Sequence, residues 1–354
     1  MTPQRPGRRP VFCTVVPPHI LDKLAQADDA AVSRAATRTL ELDAAQRTRR
    51  RIATVRGLAP TTAVPSDKPD RRVHDAQNRE VLPGRKVRDE DDPPTGDATV
   101  NRAHAGLGAT FELYLKAYGR RSIDDSGLPL VATVHYGQDY ANAFWNGEQM
   151  VFGDGDGELF LDFTLPVDVI GHELTHGVVQ YTANLEYYGQ SGALNESVSD
   201  VFGALIKQYG LGQLAKDADW LIGAGLLGPN VEGVALRSMK APGTAYDDDV
   251  LGKDPQPATM DDYVRTNRDN GGVHINSGIP NHAFYLLATE LGGNAWERAG
   301  QIWYDTLTGG ELAPDADFSE FARLTLAAAR SRYGAGTELE AVTKAWSSVG
   351  VPTG

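Results

Sequence analysis

Two histidines stand four residues apart in the segment Val169-Ile-Gly-His-Glu-Leu-Thr-His-Gly-Val-Val179, with a glutamate directly after the first. On an α-helix, positions i and i+4 lie one above the other on the same face. His172 and His176 can therefore offer two imidazole nitrogens to one zinc ion, while Glu173 lies beside that ion without being placed to bind it. This H-E-x-x-H spacing is typical of zinc peptidases, in which the glutamate handles the proton of a metal-bound water. The alternative is a chance match on a solvated helix.

A second predicted helix carries residues that complete such a site. It opens with Gly192-Ala-Leu-Asn-Glu-Ser-Val-Ser-Asp200 and runs to about Tyr209, so that Glu196 and Asp200 face one way. Two histidines and a glutamate form a catalytic zinc site that leaves a fourth position open for water. Asn195 and Asp200 are suited to accept hydrogen bonds from the far nitrogens of the histidines, which would fix their tautomers. A surface glutamate is the alternative interpretation of Glu196.

The composition excludes several classes of protein. The 354 residues are enough for two lobes, and 41% hydrophobic with 23% charged residues is typical of a globular protein. No run of the sequence approaches the length of an apolar transmembrane helix. A net charge of −13 argues against a nucleic-acid partner, which calls for a basic face. Cys13 is the only cysteine, so a Cys-rich zinc site is excluded and any zinc must be held by His and carboxylates.

The first 56 residues, called the leader below, differ from the remainder in charge. They carry eleven Lys and Arg against five Asp and Glu, whereas the remainder carries 23 against 42. A basic leader and an acidic body are expected to attract one another. The basic cluster Arg47-Thr-Arg-Arg-Arg51 and the Pro-, Thr- and Ala-rich loop from Leu58 to Pro69 favour proteolytic processing near this point.

Within the leader, an extended segment from Val11 to Val16 and a Pro17-Pro18 stop are followed by apolar residues at helical spacing. This spacing predicts one helix from about Ile20 to Leu42. Because Pro17-Pro18 and Asp22 interrupt the apolar stretch early and no small-x-small site follows, we do not interpret it as a signal peptide.

Four further stretches, together with the two helices, resemble the thermolysin-like family of zinc metallopeptidases in the family's order over about residues 70–350. They are Asn142-Ala-Phe-Trp145, Gly153-Asp-Gly-Asp-Gly157, Leu236-Arg-Ser-Met239 and Asn270-Gly-Gly-Val-His-Ile-Asn-Ser-Gly278. The leader, with Val15-Val-Pro-Pro-His-Ile-Leu21, resembles the short propeptide of the protealysin-like branch.

The resemblance implies a role for each matched residue. Glu173 would take a proton from the zinc water and pass it to the leaving amine. His274 and Tyr187 match the positions that donate hydrogen bonds to the oxyanion, and Asp269 matches the residue that orients the histidine.

The resemblance also implies how a substrate binds. Arg237 matches an arginine that hydrogen-bonds the substrate backbone beyond the scissile bond. Asn142 and the backbone of Ala143 match groups that align the substrate as an extended strand. The matching apolar pocket wall implies cleavage on the amino side of a bulky apolar residue. That wall consists of Phe160, Phe163, Val169, Ile222 and Leu236.

The sequence departs from the family at its paired calcium site. Asp168 and Asp219 keep acidic residues, but Lys207 stands at the matched position on the second helix, and Leu221 and Ala224 stand where further carboxylates are expected. Calcium needs six to eight oxygen ligands, which a lysine ammonium opposes. We expect this lysine to pair with the two aspartates as a fixed internal cation and calcium to be absent there.

The predicted fold is α+β, with a strand-rich amino-terminal lobe at residues 57–165, a helical carboxy-terminal lobe at residues 166–354 and the zinc cleft between them. Residues 1–56 are expected to form a propeptide that covers the cleft, with Cys13 or the Pro17-Pro18-His19 corner near the zinc. For Cys13, a zinc-blocking thiolate and a buried spectator thiol both stay open, and we favour the spectator.

The expected function is that of a monomeric, zinc-dependent neutral endopeptidase made as a zymogen, with peptide or protein substrates and no nucleic-acid or membrane partner. A zinc-bound but catalytically silent protein-binding scaffold is one alternative, which the presence of Glu173, His274 and Tyr187 opposes. A zinc hydrolase acting on other substrates is the second, which Asn142 and Arg237 oppose. The family is largely secreted, whereas no export signal is recognisable here, so a cytoplasmic location and leaderless export both stay open.

Overall fold

The leader folds as an extended segment followed by two helices. The computed structural model of the protein describes residues 12–56 and 66–353. The boundary predicted between residues 56 and 57, and residues 58–65 of the predicted processing loop, therefore lie outside the described residues. The helices are α1 (Pro18–Leu24) and α2 (Ala30–Arg56).

The prediction of one helix from Ile20 to Leu42 is wrong in two respects. The chain breaks between α1 and α2 because Asp29 caps the second helix, its carboxylate accepting hydrogen bonds from Ala31 N at 2.7 Å and Val32 N at 3.3 Å. Helix α2 then continues to Arg56, so the basic cluster at residues 47–51 lies on a helix.

The amino-terminal lobe is built on a five-stranded mixed sheet. Its strands are β1 (Arg71–Asp75), β2 (Arg85–Arg88), β3 (Leu130–Val134), β4 (Ala143–Trp145) and β5 (Met150–Phe152), in the order β2-β1-β3-β5-β4. Strands β1, β3 and β5 run parallel, and the two edge strands are antiparallel to their neighbours. Helix α3 (Ala98–Tyr118) packs against β1 and β3 and ends at Gly119, whose φ of 68° is the left-handed conformation of a helix C-cap.

The carboxy-terminal lobe is helical. Its helices are α4 (Val167–Tyr181), α5 (Gly189–Leu211), α6 (Asp269–Asn276), α7 (Gly278–Leu291), α8 (Arg298–Thr308), α9 (Phe318–Tyr333) and α10 (Thr337–Ser348). Two short ribbons interrupt them, formed by β6 (Leu221–Ile222) with β7 (Arg237–Ser238) and by β8 (Asp247–Asp248) with β9 (Gly252–Lys253). The predicted α+β architecture is confirmed. Among the described residues, no helix has the length and apolar character needed to cross a membrane.

Glycines let α4 and α5 approach at backbone distance. A Cβ atom on Gly203 would lie 2.6 Å from Asp168 O and 3.2 Å from His172 N, and one on Gly171 would lie 3.2 Å from Gly203 Cα. Neither contact leaves room for a side chain, so the small residues set the separation of the two helices. The H-E-x-x-H segment lies on α4 at this crossing.

We expect Gly203→Ala to lower stability, since overpacking at a close contact costs about 1–3 kcal/mol. Gly210→Ala is the matched control on the same helix, because a Cβ there meets no atom within 4 Å and alanine is favoured over glycine in a helix by about 1 kcal/mol. The thermal midpoints of the two zinc-loaded variants give the comparison. A Gly203→Ala midpoint equal to that of the control would contradict this account of the packing.

Candidate metal centre and active-site cleft

The candidate metal donors project from α4 and α5 toward one point. His172 Nε2 lies 3.1 Å from His176 Nε2 and 3.6 Å from Glu196 Oε2, and His176 Nε2 lies 3.5 Å from Glu196 Oε1. All three side chains are buried. The histidines lie one above the other because they are four residues apart on α4, and their rings meet edge to face. The close packing of α5 brings the glutamate to them.

Acceptors on α5 orient the two histidines. His176 Nδ1 lies 2.8 Å from Asn195 Oδ1, and His172 Nδ1 lies 2.8 Å from Asp200 Oδ1. If each Nδ1 carries the proton, both Nε2 lone pairs face each other, an arrangement that a cation between them stabilises. Glu196 Oε2 is buried with no hydrogen-bond partner among the described residues. The donor set therefore fits a zinc ion held by two histidines and a glutamate.

Asp200 is held in turn by a buried arginine. Arg237 Nε and Nη2 donate to its two carboxylate oxygens at 2.9 and 2.8 Å, and Asn281 Nδ2 donates at 2.8 Å. Burial opposes ionisation of Asp200, but the charges of Arg237 and His172 outweigh it and hold the pKa of Asp200 well below its ordinary value. The carboxylate stays charged and fixed behind the histidine.

Glu173 lies beside the donors with one oxygen anchored. Trp145 N donates to Glu173 Oε2 at 2.9 Å, and the other oxygen is buried with no hydrogen-bond partner among the described residues. Burial and the negative charge of Glu196 raise the pKa of Glu173 well above its ordinary value. A carboxylate with a raised pKa is suited to accept a proton and give it up again.

Two hydrogen-bond donors stand on the far side of Glu196. Tyr187 Oη donates to Glu196 Oε1 and lies 3.3 Å from His274 Nε2. Asp269 binds His274 twice, at Nδ1 (2.6 Å) and at the backbone N (2.9 Å). Burial opposes protonation of His274, but the charges of Asp269 and Glu196 outweigh it and raise its pKa to about 9. The ring is therefore a cationic donor.

The turn before His274 explains how Asp269 reaches back to it. Asn270, Gly271 and Gly272 have φ values of 49°, 85° and 81°, three successive residues in the left-handed region. Glycine adopts this conformation without a steric penalty and asparagine tolerates it. The left-handed conformation of this turn therefore explains the two glycines of the motif.

The groups matched to substrate binding hold the leader instead. Val15 N donates to Ala143 O at 3.1 Å, Val16 N donates to Asn142 Oδ1 at 2.9 Å, and Arg237 Nη1 donates to Val15 O at 3.2 Å. β4 is an edge strand of the sheet, and such an edge can accept an added extended chain. The leader therefore lies in the cleft between the two lobes.

The five predicted residues of the apolar pocket wall belong to the same buried cluster as Val15. Phe160 and Phe163 contact each other with ring centroids 6.0 Å apart. Ile222 and Leu236 lie on adjacent segments, joined by the hydrogen bond from Leu236 N to Ile222 O at 3.0 Å.

The structure brings Cys13 into the candidate donor group, which opposes the expectation of a spectator thiol. Its Sγ lies 2.9 Å from Glu196 Oε1 and 3.5 Å from His274 Nε2, and it forms one buried donor group with His172, His176 and Glu196, all within 4.8 Å. Cys13 reaches this position because the hydrogen bonds of the next residues, Val15 and Val16, fix where the extended leader enters the cleft. Burial, and then the negative charge of Glu196, raise the pKa of the thiol well above its ordinary value.

The other predicted leader residues form a corner outside the donor group. Pro17 precedes α1, Pro18 opens the helix, and His19 Nε2 lies 3.0 Å from Tyr246 Oη. Burial lowers the pKa of His19 to about 4, a change that Asp269 opposes. Of Cys13 and the Pro17-Pro18-His19 corner, it is therefore Cys13 that lies beside the candidate metal donors.

The residues of the predicted calcium replacement also come together. Lys207 Nζ lies 3.2 Å from Asp168 Oδ2, 2.9 and 2.7 Å from the two carboxylate oxygens of Asp219, and 3.3 Å from Leu221 O. Asp168 is buried at the start of α4, whereas Asp219 is exposed.

Sequence reasoning missed Asp43 on α2. It is buried, accepts hydrogen bonds from Tyr140 Oη at 2.5 Å and Asn142 Nδ2 at 3.1 Å, and so ties the leader to a substrate-binding group. The available signal is a row of residues at spacings of three or four that includes Ala36, Thr39 and Asp43. Only the fold shows that this row is buried against the amino-terminal lobe.

Comparison with known proteins agrees with this geometry. Residues 58–180 match the family model described as thermolysin metallopeptidase, catalytic domain, and residues 183–351 match thermolysin metallopeptidase, alpha-helical domain. The chain is 50% identical over 347 residues to an extracellular metalloprotease of Pectobacterium carotovorum subsp. carotovorum, with 97% of each chain covered. It is 48% identical to protease PrtS of Photorhabdus sp. (strain Az29), with 95% of this chain and 91% of that protein covered.

A solved structure shares the arrangement of leader and lobes. The precursor of protealysin, a metalloproteinase from Serratia proteamaculans, superimposes with a TM-score of 0.89 at 49% identity, covering 96% of this chain and all of that one. A mixed lobe and a helical lobe flanking an H-E-x-x-H centre define a zinc metalloendopeptidase. The chain belongs to the thermolysin-like metallopeptidase family, and within it to the protealysin-like branch.

We expect Asp43 to make leader docking weaker as the pH rises. Burial, opposed by its hydrogen bonds to Tyr140 and Asn142, raises the pKa of Asp43 from 3.8 to about 7. A raised carboxyl pKa contributes stability that is fully present below the ordinary pKa and is lost as the pH rises through the raised one. The lowered pKa of His19 acts in the opposite direction over this range, because its destabilising effect is relieved as the pH rises. The Asp43 effect is therefore measured as a difference between proteins. In a Glu173→Ala background, limited proteolysis of the leader, normalised to an unstructured peptide, should accelerate more between about pH 4 and pH 7 with Asp43 present than with Asn at that position.

Asp43→Asn removes the titrating group and should flatten this dependence. The exposed Asp28→Asn on the leader is the matched control and should keep the wild-type profile. If the rate of leader proteolysis depends on pH in the same way in the Asp43→Asn and Asp28→Asn proteins, Asp43 is not responsible for the pH dependence of docking.

Proposed function

We propose that this zinc metalloendopeptidase cleaves peptide bonds on the amino side of bulky apolar residues and is made as a zymogen whose leader fills its own cleft. We further propose residues 1–56 as the propeptide, residues 57–165 as the amino-terminal lobe and residues 166–354 as the carboxy-terminal lobe. The observation that carries the proposal is the binding of the leader backbone by Asn142, Ala143 and Arg237 directly beside the metal donors.

In the proposed site, His172, His176 and Glu196 hold the zinc. Zinc bound there supplies Lewis-acid chemistry to the peptide carbonyl and to the attacking water. Glu173 accepts the proton of that water and then gives it to the leaving amine. The anchoring of one Glu173 oxygen by a backbone N–H supports this role, because the second oxygen has no hydrogen-bond partner among the described residues and can accept the proton.

Two further groups act on the substrate carbonyl. His274 and Tyr187 are hydrogen-bond donors aimed at the region beside Glu196, and donors placed before the reaction stabilise the oxyanion as its charge develops. Asp269 holds the His274 ring in place and keeps it protonated, so it acts through the histidine.

Selectivity for an apolar residue after the cleaved bond is supported by the leader itself. Val15, the residue that Arg237 and Ala143 bind, carries an apolar side chain that is fully buried, as are Phe160 and Leu236. An apolar side chain is desolvated there at no polar cost, whereas a charged one would lose its hydration.

The function is tested with intact protein treated briefly with a trypsin-like protease, which cuts after basic leader residues, and then with an inhibitor of that protease. Wild-type protein should contain about one zinc per chain and cleave unstructured peptides to give new amino termini that are Leu, Ile, Val or Phe. Glu173→Ala should keep its zinc and lose at least about 100-fold in kcat/KM, because the proton acceptor is gone.

Glu112→Ala, at an exposed position of α3, is the matched control and should retain both zinc and activity. Unchanged kcat/KM in Glu173→Ala would contradict the proposed proton transfer. New amino termini that are mainly polar or charged would contradict the proposed selectivity while leaving the peptidase activity standing.

We also propose that Lys207 replaces calcium at the family's paired site. Burial opposes the charge of Lys207, but Asp168 and Asp219 outweigh it and raise its pKa, so the ammonium persists at neutral pH. Because Lys207 supplies the positive charge that neutralises the buried Asp168, a calcium ion has neither the space nor the charge balance it needs.

The measurement is metal content together with thermal stability. Purified protein should contain zinc without calcium, and a calcium-selective chelator should leave its melting temperature unchanged. Lys207→Ala should cost roughly 1.5–3 kcal/mol, the range for hydrogen bonds involving a charged group, while the exposed Lys216→Ala should cost little. Stability that depends on chelatable calcium would refute the replacement.

A further inference from the structure

The leader crosses the cleft in one fixed direction. The carbonyl and N–H of Val15 bind Arg237 Nη1 at 3.2 Å and Ala143 O at 3.1 Å. One residue later, Val16 N donates to Asn142 Oδ1 at 2.9 Å, and Asn142 Nδ2 donates to Val16 O at 3.4 Å. Four hydrogen bonds to two successive residues fix the polarity and the register of the chain, as in the addition of a strand to a sheet edge.

The peptide bond between Thr14 and Val15 lies between Cys13, which contacts the metal donor Glu196, and the strand that anchors the proton acceptor Glu173. Thr14 O is 3.6 Å from Cys13 Sγ, and that sulfur is 2.9 Å from Glu196 Oε1. On the other side, Val15 N binds β4, the strand whose backbone N–H anchors the Glu173 carboxylate. The carbonyl of this bond is thus adjacent to the metal donors, and its nitrogen is adjacent to the strand that holds Glu173.

We propose that Thr14–Val15 is a cleavable bond of the leader, protected in the intact chain because the Cys13 thiol occupies the place of the attacking water. Loss of the thiol from the donor group converts the leader from an inhibitor into a substrate. The proposal rests on the proposed function, since it uses the same catalytic residues.

The reaction is a hydrolysis and needs only water. The water oxygen forms a bond to the Thr14 carbonyl carbon, and Glu173 accepts the proton it releases. The carbon–nitrogen bond then breaks, and Glu173 gives that proton to the departing nitrogen. The second proton of the water leaves the new Thr14 carboxyl group and is taken up by the Val15 amine. The products are the Thr14 carboxylate and the Val15 ammonium group, so atoms and charges balance without a further reactant.

The neighbouring bonds are less suited to cleavage. The carbonyl of the Val15–Val16 bond is bound by Arg237 Nη1 at 3.2 Å, whereas the carbonyl of Thr14 lies beside Cys13 Sγ in the donor group. The nitrogen of the next bond belongs to Pro17, which has no N–H to pair with the cleft. Val15 also places an apolar, fully buried side chain directly after the proposed bond, which is the selectivity proposed above.

Cleavage at this bond leaves most of the leader docked. Residues 1–14 depart with Cys13, while Ile20, Leu21 and Leu24 of α1 are buried in the main core. The new amino terminus at Val15 therefore stays beside Arg237 and continues to occupy that side of the cleft. Activation would proceed in two stages, with removal of the thiol first and loss of the rest of the leader second.

The test follows intact mass and amino-terminal sequence over time in zinc-loaded wild type, Cys13→Ser, and Cys13→Ser combined with Glu173→Ala. Cys13→Ser should yield a chain beginning at Val15 at least tenfold faster than wild type, at a rate independent of protein concentration. The double variant should stay intact. A Cys13→Ser chain whose first new amino terminus lies elsewhere would overturn the proposal, as would a Val15 terminus in the double variant.

A second readout does not depend on activity. Cobalt replacing zinc in the intact Glu173→Ala protein should show a thiolate-to-metal charge-transfer band that disappears in the Cys13→Ser, Glu173→Ala double variant. Identical spectra would overturn the protective role of the thiol. Equal melting temperatures of the two proteins would establish that both are folded.

A reference peptide separates this proposal from the proposed function. Cys13→Ser protein that cleaves a peptide with an apolar residue after the scissile bond, yet leaves Thr14–Val15 intact, would refute the cleavable leader bond alone. Failure to cleave either bond would refute the proposed function as well.

Discussion

The close packing of α4 against α5 is the contact on which the site depends. Gly203 on α5 and Gly171 on α4 allow backbone atoms to approach where any side chain would collide. That approach brings Glu196 to the two histidines and lets Asn195 and Asp200 reach the far nitrogens. Because each donor is fixed on one of these two helices, the distances between the donors depend on the separation of the helices.

The cleft binds its leader with the same groups that a peptide substrate requires. Arg237 makes two sets of contacts. Its guanidinium fixes Asp200 behind the metal site, and it also donates a hydrogen bond to the carbonyl of Val15 in the leader. Asn142 likewise contacts both Val16 and the buried Asp43. In the proposed function, inhibition and catalysis therefore share residues, and the leader is displaced before a substrate strand pairs with β4.

The sequence allowed the prediction of features that rest on local spacing. His172, His176 and Glu196 could be named because helical periodicity and zinc chemistry restrict which residues can meet. The break before α2 was missed because the helical spacing of the flanking residues masked the capping role of Asp29. The spectator role favoured for Cys13 and the omission of Asp43 have another cause: the roles of both residues depend on contacts with residues far along the chain, which no local pattern encodes.

We propose that one zinc ion lies between α4 and α5 with the leader thiol in its open position. Diffraction from crystals of the intact chain, collected on both sides of the zinc absorption edge, is the measurement that tests this arrangement. We expect one strong anomalous peak within bonding distance of His172 Nε2, His176 Nε2, a Glu196 oxygen and Cys13 Sγ. A peak that lies elsewhere, or one bound by the first three residues with Cys13 turned away, would contradict it.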